Sequence, residues 1–310
     1  MSALLPVVFV VALGGLAAHF GMVQKSAAPL FAGFVVGFAL PLALFEGVLN
    51  VSPSAIKNGP FLLAITVGLM ATYVIALTFS RAIFRHSLAE SAIQAVTCAF
   101  PSMAYSGLPV LEAVVGPEGV PVVVIGNLVT SLIMIPLTLI LIEVSQGGAN
   151  AKGNIVSFIA HSLVGAVKQP VVWLPITGAA LALGGIHLPH VLQLSFDLIG
   201  KAAAGVALFA LGLILHGQSL RIGREVALNA LLKNVGQPAV LLALVLLLGI
   251  HGASAKELFL TGAIPTATAA SALALRYHIS SDEAAASTLL STVGSVVTIS
   301  LAIIMAGHFA

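Results

Sequence analysis

The 310-residue sequence has very little charge. Asp, Glu, Lys and Arg make up 7% of it, against 59% hydrophobic residues. Soluble domains carry about 25% charged residues, so a soluble globular fold is excluded. No polar block is long enough to form a domain of its own. The single cysteine, Cys98, sits in an apolar segment and excludes an intrachain disulfide framework. A net charge of +2 is too small to mark nucleic acid as a partner. No His-Glu-x-x-His, Gly-x-Ser-x-Gly, phosphate loop or pair of intramembrane aspartates is present. An enzyme is therefore not expected, and neither is a metal or cofactor. His19, His161, His216, His251, His278 and His308 fall near span ends and read as interfacial. The N-terminus lacks the charged region and cleavage site of a leader, so the first apolar segment counts as a span.

What the sequence does have is apolar length. A membrane-crossing helix needs about 20 apolar residues. Ten segments qualify: Leu4–Met22, Ala28–Leu49, Phe61–Phe84, Ala89–Val115, Val120–Glu143, Pro170–Ile186, Leu194–Leu215, Ala227–Ile250, Leu258–Tyr277 and Ala284–Gly307. The expected fold is an all-α membrane protein of ten transmembrane helices. The longest connection, around 146–169, is read as a cytoplasmic connector with an amphipathic helix near 155–167. Gly33 and Gly37 suit a small-residue helix contact. Cationic residues are asymmetric. With the N-terminus outside, Lys25, Arg81, Arg85, Lys152, Lys168, Arg221, Arg224, Lys233 and Arg276 fall on or near the cytoplasmic side. Lys57, Lys201 and Lys256 fall on or near the outer side. Both termini are expected outside.

The chain also repeats. Gly14 and Gly178 differ by 178 − 14 = 164, and other pairs share that shift. Pro6-Val7-Val8-Phe9 matches Pro170-Val171-Val172-Trp173, Ala99-Phe100-Pro101-Ser102 matches Ala263-Ile264-Pro265-Thr266, and Ser131 matches Ser295. The expected organisation is a first five-helix repeat at 1–145, the connector, and a second repeat at 170–310. Five is odd, so the second repeat enters from the opposite side and the two are inverted, a plan that secondary transporters use.

Spans four and nine correspond under the shift, and both carry a proline followed by a hydroxyl residue. A proline inside a helix removes a donor and clashes with the preceding turn. In lipid the freed carbonyls must find partners within protein. Both helices are expected to break and cross here, with half-helix N-termini offering N–H groups to an anion. The candidate substrate-binding residues are Pro101, Ser102, Tyr105, Ser106, Gly107 and Pro109 in span four, and Pro265, Thr266, Thr268 and Ser271 in span nine. Asn127, Thr130 and Ser131 in span five and Ser291 in span ten join them. No proline stands opposite Pro109, where Leu273 is found, so span four is the more sharply interrupted.

Several of these motifs resemble the auxin efflux carrier family. They are Ala99-Phe100-Pro101-Ser102 with Gly107-Leu108-Pro109-Val110-Leu111, Leu40-Pro41 with Phe45, Lys168 through Pro175, and Ala263-Ile264-Pro265 before Arg276-Tyr277. The resemblance covers essentially the whole chain and reaches the malonate transporter branch. It implies ten spans, inverted repeats, a crossover at spans four and nine, and transport of small organic anions across a bacterial inner membrane. Ser102 and Ala270 depart from the plant carriers, which have asparagine and proline there, so an auxin-sized substrate is not favoured.

Glu46 and Lys201 lie in corresponding spans and are expected to face each other or shared water, as a charge relay or an anion attractor. The expected function is a secondary carrier of small carboxylates. Its partners are a small organic anion, the lipid bilayer and, as a candidate assembly, a second copy of the chain. Spans one, two, six and seven form the expected scaffold, and spans three to five and eight to ten the transporting part. An anion channel, or a carrier of aromatic weak acids, is the alternative.

Overall fold

The computed structural model describes residues 5–49, 58–145, 164, 168–186, 188–216, 222–307 and 309. Apart from Val164, the expected connector helix lies outside them, as do Lys57, Lys152, Arg221, His161 and His308. Helices dominate the described residues. Among those residues the sole extended contact outside a helix is an antiparallel bridge between Pro101 and Thr266.

Four helices are long and apolar enough to cross a membrane: Gly59–Phe84, Val120–Ser145, Arg224–Leu247 and Ser281–Ala306. They match the expected spans three, five, eight and ten. The other expected spans are shorter or interrupted. Span two is Ala28–Phe34 and Leu40–Leu49 joined by a π-helical turn at Val35–Ala39. Span seven, expected as one piece, is divided at Lys201 into His190–Gly200 and Ala202–Leu215. Span four begins at Leu88 with a capping box in which Ser87 and Glu90 satisfy each other's backbone N–H groups. It stops at Ala99, before Pro101, and resumes as a π-helical turn at Met103–Gly107 and a helix at Leu108–Val114. Span nine is Gly252–Ala263 and Thr268–Tyr277, interrupted at Pro265.

The shift of 164 recurs in these elements. Moved by it, Leu88–Ala99 covers 252–263, the range of the first half of span nine. Left-handed backbone recurs at the same spacing: Gly21 and Gly185, Arg85 and Gly249, Gly116 and Ser280. Arg85 and Ser280 adopt φ of 56° and 43°, a conformation disfavoured for side chains with a Cβ.

The chain divides into two compact units, each drawn from both halves of the sequence. The first comprises Met1–Gly59, Met103–Asn127 and Lys168–Ser219. In it Leu5–His19 packs on Ala202–Leu215, and Pro170–Leu183 packs on Leu40–Leu49. Backbones touch at glycine. A Cβ on Gly14 would collide with the Phe209 carbonyl oxygen, and one on Gly178 would lie 2.7 Å from the Phe45 carbonyl oxygen. These contacts correspond under the shift, since 45 + 164 = 209. Glycine at such points lets helices approach without hydrophobic help from water. Gly33 and Gly37 do not do this: a Cβ at either would meet nothing within 4 Å.

The second unit comprises Pro60–Ser102, Leu128–Val167 and Leu220–Ala310. Gly68 admits the Leu241 side chain, and Gly262 faces Pro238 so closely that a Cβ would lie 2.6 Å from the Pro238 Cα. Tyr73 and Thr138 share a hydrogen bond of 2.9 Å. Span four was expected wholly in the transporting part. The division falls inside it, at Ser102 and Met103, so its second half and the start of span five, up to Asn127, belong to the first unit.

Candidate functional site

The two interruptions meet inside the second unit, and their opened backbone is satisfied almost group by group. Ser102 N–H donates to the Pro265 carbonyl at 2.8 Å, and Ala267 N–H donates to the Phe100 carbonyl at 2.9 Å. The Thr266 hydroxyl donates to the Thr97 carbonyl at 2.9 Å, while Thr266 N–H donates to the Ser291 hydroxyl oxygen at 3.1 Å. The Ala99 carbonyl accepts from the Gln237 amide at 2.8 Å. On the other side, the Gly262 carbonyl accepts from the Lys233 ammonium at 3.2 Å, and Lys233 also donates to the Ile264 carbonyl and to Gln237 Oε1. Carbonyls left open by a broken helix are costly in a medium without water. Here each of these has a donor.

The carbonyls of Ala99, Gly262 and Ile264 take their donors from one helix. Asn229, Lys233, Asn234 and Gln237 lie at fourfold and fivefold spacing along Arg224–Leu247, which places them on one face. All are buried, with Lys233 and Gln237 fully so. A π-helical turn at Leu232–Gly236 carries Lys233 and Asn234, a feature frequent at functional sites. Asn229 accepts from Gln94 at 2.5 Å and donates to Ser287 at 3.1 Å. Ser291 donates to Asn234 Oδ1 at 2.6 Å, and Asn234 donates to the Ser291 carbonyl at 2.9 Å. In the first half the positions that correspond are Ile65, Leu69, Met70 and Tyr73. Ile65, Leu69 and Tyr73 are buried without exposure, so the polar face belongs to the second half alone.

Sequence reasoning missed this face. It counted Lys233 only as one of the cations on or near the cytoplasmic side and gave it no role at the interruptions; Lys233 is buried inside an apolar helix and pairs with no carboxylate among the described residues. The signal was available: a lysine with three amides at helical spacing inside an apolar run.

The expected site residues separate as follows. Pro101, Ser102, Pro265, Thr266 and Ser291 come together at the paired interruptions. Ser271 lies further along, where its hydroxyl contacts Thr288 at 2.7 Å and donates to the Ala284 carbonyl at 3.1 Å. Thr268 opens the second half of span nine and is partly buried. Thr130 is buried at the start of a π-helical turn, with Ser131 beside it partly buried. These belong to the second unit. Ser106, Gly107, Pro109 and Asn127 are buried in the first. The Tyr105 side chain lies outside the described ones. The expected supply of free N–H groups is smaller than supposed, because those of Ser102, Thr266 and Ala267 are already engaged.

Lys201 has a partner that the sequence reasoning did not name. It forms an ion pair with Asp197, one turn earlier on the neighbouring helix, and its side chain is largely exposed. Glu46 lies within electrostatic range of both charges. A helical i, i+4 pair is the shorter reach, which is why it prevails. No cluster of three metal-ligating side chains occurs among the described residues. A cavity of about 240 Å³ borders Asn234, but its wall is mostly apolar, including Pro238, Leu242, Phe259 and Leu301. Such a wall suits hydrocarbon rather than a carboxylate.

A family model described as membrane transport protein matches residues 1–303. The protein named uncharacterized transporter YfdV of Escherichia coli strain K12 is 29% identical over 299 residues, covering 95% of this chain and 94% of its own length. Its counterpart in Shigella flexneri matches to the same extent. A Rhizobium meliloti protein named "Putative malonate transporter" is 29% identical over 276 residues, covering 86% of this chain and 83% of its own.

Proposed function

The chain belongs to the membrane transport protein family, and from that premise we propose that it is a secondary carrier of small carboxylates working by alternating access. The observation that carries the reading is the pairing of two helix interruptions beside a buried lysine, which we take as protonated. Lys233 adds a positive charge to the core of the second unit, and no carboxylate there pairs with it among the described residues. An anion arriving near the interruptions is favoured by that charge, which is weakly screened away from water. The name of the Rhizobium meliloti relative puts malonate first among the substrates to try.

The hydrogen bonds refine the residue roles. Thr266, Ser271 and Ser291 have hydroxyls engaged in holding helices together. Ser102 and Thr268 are the hydroxyl residues assigned here to the substrate, with Pro101 and Pro265 keeping the helices open. The recurrence of element ranges, left-handed residues and glycine contacts at one shift supports two repeats. The odd span count in each supports their inversion. The unit holding the paired interruptions is then the transporting body, and the unit of spans one, two, six and seven the scaffold.

The test is counterflow in proteoliposomes. Labelled malonate should accumulate against an internal pool, with saturation, and unlabelled carboxylates should compete. If no mono- or dicarboxylate accumulates or competes, the carboxylate assignment fails. Flux that does not saturate would make the protein a channel, and uptake of an indole acid alone would move it to the aromatic alternative.

A further inference from the structure

Lys233 has an unusual set of partners. Its ammonium has three N–H donors and meets three oxygens: the Gly262 and Ile264 carbonyls and Gln237 Oε1. Three acceptors around one nitrogen fit the protonated form, since a neutral amine would turn a lone pair on one of them. Two of the oxygens belong to the end of the Gly252–Ala263 helix, where carbonyls lose their intrahelical partners and the helix dipole is negative. Carbonyls of unwound backbone at a half-helix C-terminus are where carriers of this general plan hold a coupling cation. Gly262 brings its carbonyl into reach because Pro238 of the lysine's own helix packs against it without an intervening Cβ.

The corresponding end in the first half is built differently. Leu69 stands where Lys233 would. The carbonyls of Thr97, Ala99 and Phe100 are capped by Thr266, Gln237 and Ala267, which are neutral. One interruption is therefore closed by neutral donors and the other by a cation.

We infer that the Lys233 ammonium is a tethered monovalent cation occupying the carbonyl site at the end of Gly252–Ala263, so that the helix interruption holds its shape without Na⁺ or any other dissolved cation. Removing the side chain leaves an oxygen-lined vacancy for a small cation. The inference does not depend on which anion is carried.

Thermal unfolding of the purified full chain in detergent tests it without reference to transport. At fixed ionic strength, the wild-type Tm should be the same in sodium, potassium and choline chloride. Lys233→Ala should unfold several degrees lower and recover, saturably, with methylammonium or ethylammonium but not tetramethylammonium. Lys233→Met, which refills the space with an apolar chain, should fall similarly and not recover. A saturable rise of the wild-type Tm in Na⁺ over choline would overturn the inference, and this needs no variant to fold. So would a Lys233→Ala protein that no small cation stabilises, or a Lys233→Met protein as stable as the wild type.

Discussion

Gln237 has two tasks at once. Its amide nitrogen caps the Ala99 carbonyl and its oxygen accepts from Lys233. An orphaned buried polar group costs about 1–3 kcal/mol, and Gln237→Leu orphans one carbonyl and removes one of three acceptors from a charge. The variant should lose at least that much stability, read as a lowered Tm in detergent, and Gln237→Glu should lose less because its carboxylate still accepts from the ammonium. Gly262 is a second sensitive residue, for steric reasons. Gly262→Ala puts a methyl group against the Pro238 backbone, and overpacking of that kind costs about 1–3 kcal/mol. Gly33→Ala, by contrast, meets open space and should leave the Tm within about a degree of wild type, since surface substitutions fall within about 0.5 kcal/mol.

Helices four and nine show what sequence can and cannot reveal about an element. Their interruption was legible because proline leaves a chemical mark, and its partner was legible because Ala99–Ser102 and Ala263–Thr266 share a spacing. The long helices were legible because apolar length is a property of composition. What was not legible was who satisfies whom. Lys233 and Gln237 reach the interruptions from another helix, and an alternation of apolar and polar residues does not say which helix will be its neighbour. The division of span seven at Lys201 was hidden for a related reason: Gly200 and Lys201 are compatible with a continuous helix, and the turn there is a matter of tertiary packing. If bonds to other helices hold the interruption in span four, the proline alone does not. Pro101→Ala should then keep a near-native Tm, losing about 0.4–1 kcal/mol through the unfolded chain. Its initial rate of malonate uptake should fall more than that stability change explains. A collapse of Tm would mean that the proline itself holds the shape.

For the whole molecule the repeat makes a prediction about sidedness. Met22 and Ile186 are exposed large apolar residues just beyond Leu5–His19 and Pro170–Leu183, and they correspond under the shift, since 22 + 164 = 186. If the two repeats are inverted, these residues lie on opposite faces of the membrane. The chain helps the experiment, because its only cysteine, Cys98, is buried. Met22→Cys and Ile186→Cys should react with an impermeant thiol reagent from opposite sides of intact cells, Met22→Cys from within. Labelling from the same side would remove the inversion.

The Ser102–Pro265 and Ala267–Phe100 bonds also bear on how the chain is made. The translocon inserts the first interruption long before residue 265 has been synthesised. The native donor of the Ala99 carbonyl, Gln237, comes a little earlier, but until residues 266 and 267 follow the carbonyls of Thr97 and Phe100 have none. Such groups are poorly tolerated in hydrocarbon, so the nascent first half must keep them near the headgroups or shelter them with a chaperone. For interruptions that lie at depth, as in carriers of this plan, residence there would begin only when the second interruption arrives, and integration would to that extent be finished from the C-terminal half.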